Sequence, residues 1–172
     1  MIGLTINGLA QRIDLDNFQA SLLCDLVDQE INNARDSLGR ERLGVHTKLI
    51  EASQIQADFI RDKDKLSHTQ PKGKLKDPFA RVDYVGGEFF VIRENIAFHD
   101  VLLPIYDSKT KESITVSDYK QLARAFVTEW IKSKGHFVNL SAKDITHVGT
   151  AIALDASQKR VFIVQVFGKP AN

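Results

Sequence analysis

Two histidines and one glutamate are the side chains of this sequence with the most evident capacity for chemistry: His68, Glu94 and His136. Neutral imidazoles are common ligands of zinc, copper and nickel. Two histidines with one carboxylate form a ligand set of catalytic zinc, which leaves a further position open for water. Without a metal, the same groups could work as an acid–base pair, because a carboxylate that accepts a hydrogen bond from an imidazole raises its basicity.

The spacing of these residues alone favours a plainer role. His68 and His136 lie far apart in the chain and match no local metal-binding motif. In this interpretation, His68 and Glu94 simply hydrogen-bond and hold a polar loop against a sheet. The sequence also has no Ser-His-Asp order, nucleophile elbow, phosphate loop or dinucleotide fingerprint. No motif therefore identifies a reaction.

The composition indicates one globular domain. A chain of 172 residues, 43% hydrophobic and 26% charged, can bury a sizeable core. The formal net charge of +1 gives no strong field that would attract nucleic acid or an anionic membrane. Because no run of 18 apolar residues occurs, we expect no membrane span, and we expect no nucleic-acid partner.

Three helices are predicted from apolar residues that recur every three or four positions. The first runs from Phe18 to a stop at Gly39, and the second covers about 46–62. The polar residues that follow, 63–85, predict a long loop. The third helix begins at a cap in 117–118 and has an unbroken apolar stripe.

The end of the third helix and the strands after it complete the predicted fold. The helix is expected to stop at Gly135, with His136 just past its end. Residues 88–92 predict a short strand, and 147–154 with 160–167 predict a hairpin. Both hairpin strands are apolar at nearly every position, so helices must cover both faces of the sheet. The sequence thus predicts an α+β fold, a three-layer α-β-α sandwich in which a small antiparallel sheet is flanked by helices.

A longer pattern in the C-terminal half identifies a family. Trp130, Ser133, Gly135, His136 and Asn139 form the series Trp-x-x-Ser-x-Gly-His-x-x-Asn. This series resembles the bacterial branch of the CAP superfamily, which contains the cysteine-rich secretory proteins, antigen 5 and pathogenesis-related proteins. The resemblance implies the same α-β-α architecture and a cleft in which two histidines and one or two acidic residues converge.

Upstream residues extend the resemblance and also depart from it. His68 follows the second helix, as the family's first histidine does. The family's Gly-Glu-Asn triplet is replaced here by Arg93, Glu94 and Asn95, and Ser133 stands where many eukaryotic members carry a second glutamate. The resemblance therefore implies a His-Glu-His triad rather than a tetrad. The cleft residues that it implies are His68, Glu94, Ser133, His136 and Asn139.

The cellular location is open to two interpretations. Cys24 is the single cysteine, so no intrachain disulfide can form, which taken alone favours a reducing compartment. The N-terminus also lacks the features of a signal peptide. The family, however, is mostly secreted. We expect a secreted or periplasmic mature domain over residues 17–172, with 1–16 as an N-terminal arm or short strand, and a cytoplasmic location stays open.

Three functions are compatible with these residues. The leading expectation is a binding or interaction module for a small amphipathic ligand, a peptide or a partner protein, with His68 and His136 as candidate zinc ligands. The alternative is a metal-assisted or acid–base hydrolase of peptide or cell-wall material, with Glu94 as the candidate catalytic residue. In the third, surface loops such as the basic segment 72–76 make the contacts and the triad is structural.

Overall fold

The computed structural model describes residues 11–108 and 110–171. The first ten residues of the predicted N-terminal arm lie outside the described residues. The rest of the arm runs beside the start of the third predicted helix. Arg12 forms an isolated antiparallel bridge with Asp118, and the Ile13 amide donates to the Ser117 carbonyl over 2.9 Å.

The chain contains five helices and six strands in the described residues, and its last two strands form a long hairpin. The elements are α1 (Ala20–Ser37), β1 (Gly44–Val45), α2 (Thr47–Lys63), α3 (Pro78–Tyr84), β2 (Phe89–Asp100), β3 (Pro104–Asp107), β4 (Glu112–Thr115), α4 (Tyr119–Lys132), α5 (Lys134–Leu140), β5 (His147–Asp155) and β6 (Arg160–Pro170). The main sheet has the order β1-β5-β6-β2, while β3 and β4 form a separate hairpin. The short β1 runs parallel to β5, and the other pairings in the main sheet are antiparallel.

Side-chain caps fix where two of the long helices begin. The His46 ring accepts from the Lys48 amide through Nδ1 at the start of α2, over 3.2 Å. The Asp118 carboxylate accepts from the Gln121 amide over 2.8 Å at the start of α4. Each bond satisfies one of the amides that a helix leaves unpaired in its first turn. Asp118 is one of the two caps that the sequence indicates.

The core lies on both faces of the main sheet, as the apolar strands predict. Because successive strand residues point to opposite faces, β5 and β6 contribute to two clusters. One cluster packs against α1 and α4, and the other packs against α2 and α3. The close approach of α2 to β5 needs a glycine, because a Cβ on Gly149 would lie 2.2 Å from the backbone of Leu49. These layers confirm the predicted α+β fold.

Two local predictions are wrong. Residues 63–85 are not entirely loop, since α3 forms at Pro78–Tyr84, where the Asp77 side chain accepts from the Ala80 amide over 2.8 Å. The third helix does not continue to Gly135 either, because Ser133 takes an extended conformation (φ −89°, ψ 116°) and ends α4. Gly135 and His136 instead lie inside α5.

No helix in the described part of the chain is both long enough and apolar enough to cross a membrane. That finding agrees with the absence of long apolar runs in the sequence.

Candidate functional site

The candidate site is built around β2, which is an edge strand of the main sheet. Adjacent residues of a strand point to opposite faces, so Glu94 and Asn95 reach different helix layers. Glu94 contacts residues of the segment from the end of α2 to α3, and Asn95 contacts α5. The site therefore wraps around the edge of the sheet.

A buried ion pair lies on the first of these faces. The Glu94 side chain is 1% exposed and the Arg81 side chain is 0% exposed. Arg81 Nη2 donates to Glu94 Oε2 over 2.6 Å, and His68 Nδ1 lies 2.9 Å from Glu94 Oε1. Arg81 Nη1 also donates to the carbonyls of His68 and Leu75, over 3.3 and 3.2 Å. Arg81 thus fixes both the carboxylate and the backbone that carries His68.

The ion pair decides which nitrogen of His68 faces outwards. An ionised carboxylate only accepts hydrogen bonds, so His68 Nδ1 carries the hydrogen that it donates to Glu94. In the neutral imidazole the remaining lone pair is then on Nε2. The His68 side chain is 51% exposed, which leaves the ring accessible from solvent. His68 therefore offers an acceptor, or a metal-ligating nitrogen, in a fixed orientation.

Asn139 joins α5 to β2 on the other face. Its Nδ2 donates to the Glu94 carbonyl over 3.0 Å and to Asn95 Oδ1 over 2.9 Å. Asn95 Nδ2 in turn donates to the His136 carbonyl over 3.2 Å. From the sequence, Asn139 is expected to stabilise the turn after His136. In the structure, it instead connects the helix that carries His136 to the strand that carries Glu94.

His136 lies close enough to His68 for the two rings to interact. Burial lowers the pKa of His136 below its ordinary value, and the neighbouring His68 lowers it further. The ring centroid of His136 is 6.4 Å from that of Trp130, which is fully buried in α4. The structure therefore joins His68 to Glu94 by a hydrogen bond and places His136 where the charge of His68 acts on it. Because its pKa is lowered, His136 is neutral at pH 7 and carries a lone pair.

Ser133, which the resemblance places in the cleft, lies at a helix junction. It occupies the boundary between α4 and α5, and its side chain makes no capping hydrogen bond there. Within residues 11–108 and 110–171, no hydrogen bond joins its hydroxyl to the triad. Ser133 positions His136 through the break that its backbone makes in the helix.

The residue that replaces the family's glycine forms an ion pair of its own. Arg93 Nη2 donates to both carboxylate oxygens of Asp144, over 3.1 and 2.8 Å. The hydrogen bond from Arg93 lowers the pKa of Asp144. Arg93 and Glu94 therefore have separate partners, so Arg93 does not compete with Arg81 for Glu94.

The geometry limits how a metal could be held. In the part of the chain that the structure describes, no three His, Cys, Asp or Glu side chains form a group suited to a metal ion. Both oxygens of Glu94 already accept hydrogen bonds, so Glu94 fits the role of orienting His68 rather than that of a third ligand. His68 and His136, the zinc ligands expected from the sequence, therefore belong to no group of three such side chains in the described residues.

Sequence reasoning missed Arg81, although a signal for its position exists. Asp77 followed by Pro78 is a typical helix start, since aspartate caps the first turn and proline suits its first position. That helix would have placed Arg81 beside the loop that carries His68. No pattern in the sequence shows that Arg81 faces Glu94, because the two residues belong to different elements.

The comparison with protein families identifies the class. The sequence model of the CAP family, described as the cysteine-rich secretory protein family, matches residues 29–167. Because the match covers well over half of the 172 residues, the chain belongs to this family. A search of curated protein sequences finds no significant match.

Solved structures share the fold at low sequence identity. An outer surface protein from Borrelia burgdorferi is 19% identical, with a TM-score of 0.69 over 94% of this chain and 99% of that one. An extracellular protein with an SCP domain from Bacillus anthracis is 17% identical, with a TM-score of 0.66 over 87% of this chain and 41% of that one. A cysteine-rich secretory protein from Staphylococcus aureus is 12% identical, with a TM-score of 0.60 over 88% of this chain and 39% of that one. This chain therefore spans less than half the length of the Bacillus and Staphylococcus proteins.

Proposed function

We propose that this CAP domain is a recognition module that works outside the cytoplasm and binds its ligand through His68 and His136. The ligand class is a peptide or a small amphipathic molecule with hydrogen-bond donors, bound directly or through zinc. The proposed location is secreted or periplasmic. The solved structures described as an outer surface protein and an extracellular protein support that location.

The contact of His68 with the Arg81–Glu94 ion pair is the observation that carries this proposal. Two fully buried charged groups hold one half-exposed imidazole in a single orientation. A solvated surface histidine needs no such support, whereas a histidine that binds a ligand or a metal gains from a carboxylate on its second nitrogen. The long loop that carries His68 is also held by Arg81, so the ring is pre-positioned before a ligand arrives.

The charges of the site favour a neutral ligand or a cationic metal over an anion. The Arg81 charge is balanced by Glu94, and His136 is neutral at pH 7 because its pKa is lowered. The remaining polar atoms are nitrogen lone pairs, which accept hydrogen bonds from amides or hydroxyls. When bound, zinc would supply a Lewis acid with open positions, and His68 and His136 would be the residues that hold it.

Zinc calorimetry at a pH of about 7.5, above the ordinary pKa of histidine, tests the site. We expect one-to-one binding by the wild type and loss of binding in His68→Ala and in His136→Ala. Glu94→Gln should weaken binding by roughly 10–100-fold, as the loss of an orienting carboxylate does elsewhere. His99→Ala is the matched control, since the His99 ring bonds to the Asp100 carbonyl. Equal zinc binding by His136→Ala and His99→Ala would refute a metal site formed by these two histidines.

A hydrolase is the second candidate, and one observation favours it. A buried carboxylate that orients an imidazole is also the arrangement of a general base. The site has no activated nucleophile of its own among the described residues, so water would have to attack. His68→Gln, which removes the imidazole that Glu94 orients, should then abolish turnover of peptide or cell-wall substrates while the fold is retained. If pure wild-type protein shows no turnover of either substrate class, the binding module stands and the hydrolase is rejected.

A further inference from the structure

Away from the His68–His136 site, a polar cavity lies where the end of α1 and the turn after it meet the segment that follows α5. Its volume is about 360 Å³. Three cationic side chains, one carboxylate and two further residues line it: Arg35, Arg40, Lys143, Glu41, Gly39 and Ile145. The cavity therefore has an excess of positive charge, although the whole chain has a formal net charge of only +1.

Arg35 is the buried member of this group and has no anionic partner among the described residues. It is 1% exposed. Its Nε donates to the Glu41 carbonyl over 2.8 Å, and its Nη1 donates to the carbonyls of Leu140 and Ala142 over 2.8 and 3.0 Å. In the described part of the chain, no carboxylate lies within ion-pair distance of its guanidinium. The guanidinium is hydrogen-bonded but forms no direct ion pair among the described residues, and the Glu41 carboxylate acts on it only from a longer distance.

Arg40 adds a second cationic side chain to this cavity. Its Nε donates to the Ser141 carbonyl over 2.9 Å and its Nη1 to the Leu38 carbonyl over 3.3 Å. Arg35 and Arg40 line the same cavity; burial lowers the pKa of Arg35 and the charge on Arg40 lowers it further, while the Glu41 carboxylate raises it. Like charges at short range are unfavourable unless an anion lies between them.

Donor atoms remain for such an anion. Across residues 11–108 and 110–171, no hydrogen bond engages Nη2 of Arg35 or Nη2 of Arg40. Lys143 is exposed at the same cavity and forms no ion pair within that range. Two guanidinium Nη2 groups and one ammonium match the oxygens of a phosphate or sulfate group, because each Nη2 carries two N–H donors and lysine adds a point charge.

A purely structural role explains only part of this arrangement. Arg35 and Arg40 tie down the carbonyls at the end of α5, where a cation is also favoured by the helix dipole. Arg35 bonds to the Leu140 and Ala142 carbonyls and Arg40 to the Ser141 carbonyl, so each has a structural role. These roles do not explain why a lysine shares the cavity with the two arginines and a single carboxylate, or why both Nη2 groups are left over.

We propose that this cavity binds a tetrahedral oxyanion, a phosphate or sulfate, either free or as an ester on a larger molecule. Nη2 of Arg35, Nη2 of Arg40 and the Lys143 ammonium would donate to it. The cavity volume is in the range of pockets that hold small ligands. This site is separate from the His68–His136 site and does not depend on the function proposed for it.

Nuclear magnetic resonance titration at constant ionic strength tests the site. The probes are inorganic phosphate, sulfate and glycerol phosphate, with chloride as the balancing salt. We expect saturable shifts in the amides of 39–42 and 141–145. Arg40→Gln should weaken binding about tenfold, which is the usual effect of losing a hydrogen bond to a charged group. Glu41→Gln should strengthen binding roughly threefold, because it removes a nearby negative charge.

Arg124→Gln is the control for the change in net charge. Arg124 is 69% exposed and pairs with Glu30, so its loss should leave the dissociation constants unchanged. Tighter binding of glycerol phosphate than of inorganic phosphate would support an ester as the natural source, and the reverse would support a free anion. The absence of saturable shifts, or equal binding by Arg40→Gln and Arg124→Gln, would overturn the proposal. Arg40→Gln should bind zinc as the wild type does. The anion proposal and the zinc proposal can therefore be refuted independently.

Discussion

Two arginines in this protein are almost equally buried, but within the described part of the chain one has a carboxylate as its partner and the other has only backbone carbonyls. Arg81 is 0% exposed and Arg35 is 1% exposed. Arg81 bonds to the Glu94 carboxylate over 2.6 Å, whereas Arg35 bonds to backbone carbonyls. A buried charge is costly without a counter-charge. The charge of Arg81 is therefore balanced within the chain, although its Nε has no hydrogen-bond partner among the described residues, whereas the proposed anion would balance the charge of Arg35.

The buried carboxylate Glu94 and the partly buried carboxylate Asp28 also differ in their partners. Glu94 has Arg81 as its counter-charge, while Asp28 accepts from neutral donors on Thr150 and Gln165. Burial raises the pKa of Asp28 to about 6, despite the hydrogen bonds that lower it. Thus the carboxylate on the α2–α3 side of the sheet, Glu94, has a cationic partner, whereas the carboxylate on the α1–α4 side, Asp28, has only neutral partners in the part of the chain that the structure describes. Substitutions can test each half of this comparison.

The largest effect should come from unbalancing Arg81. Glu94→Gln leaves a fully buried guanidinium without a counter-charge, so we expect a loss of about 3–5 kcal/mol in the free energy of unfolding. Urea denaturation measures it. The double variant Arg81→Met with Glu94→Leu should recover most of that loss, since it removes both charges. A loss under about 1 kcal/mol in the single variant would mean that the pair is solvated and that the contrast with Arg35 is unfounded.

Asp28→Asn should raise the free energy of unfolding, whereas Glu94→Gln lowers it. The folded pKa of about 6 lies above the ordinary 3.8, so the protonated carboxyl is favoured by folding. The stabilisation from Asp28 is complete below about pH 4 and is lost as the pH rises through about 6. An asparagine side chain cannot ionise, so the variant should be more stable than the wild type by up to about 3 kcal/mol near neutral pH. Thermal unfolding at several pH values measures this difference, and an equal gain in acid and at neutral pH would contradict its electrostatic origin.

Arg35→Lys tests how much the hydrogen bonds from Arg35 to three backbone carbonyls contribute to stability. Lysine keeps the charge but cannot reach three carbonyls with separate nitrogens, so we expect a loss of about 1–3 kcal/mol in stability. Saturating phosphate should stabilise the wild type and have less effect on the variant, because binding to the folded state adds to its stability. A phosphate effect of the same size in both proteins would show that Arg35 does not contact the anion.

The smallest expected change in stability comes from a pair of histidines near the start of α2. The rings of His46 and His147 are 5.6 Å apart, and burial followed by His46 lowers the pKa of His147. A lowered histidine pKa gives stability that is present above about pH 6.5 and is lost as the pH falls below it. His147→Asn should flatten this decline by about 0.5 kcal/mol between about pH 7 and pH 5. Unfolding by urea at both pH values would detect it, and an unchanged slope would count against it.

Much of the fold could be predicted because its signals are local. The apolar residues of α1 and α2 and the uninterrupted apolar runs of β5 and β6 each identify one element and the faces that it buries. The Asp118 cap is predictable for the same reason. The failures are also local. A single extended residue, Ser133, divides the predicted third helix, and a seven-residue helix, α3, is too short to show a period.

The candidate site could be predicted only in part. The resemblance to CAP proteins points to His68, Glu94 and His136, whereas spacing alone favours no common site. Two contacts could not be predicted: the ion pair of Arg81 with Glu94 and the hydrogen bond of Asn139 to the Glu94 carbonyl. Both depend on how α3 and α5 pack on β2. The lack of a direct ion pair at Arg35 among the described residues could not be seen either, since a sequence shows that an arginine is present but not which groups surround it.

The short helix α5 is held at two places, and this has a consequence for communication between sites. Asn139 fastens it to Glu94 and Asn95 on β2, while Arg35 binds the carbonyl of its last residue, Leu140. His136 lies in the same seven-residue helix. The residues of both proposed sites therefore contact one short helix. If occupation of one site changed the affinity of the other, thermodynamic linkage would require the reverse effect by the same factor, which can be measured by titrating zinc with and without phosphate.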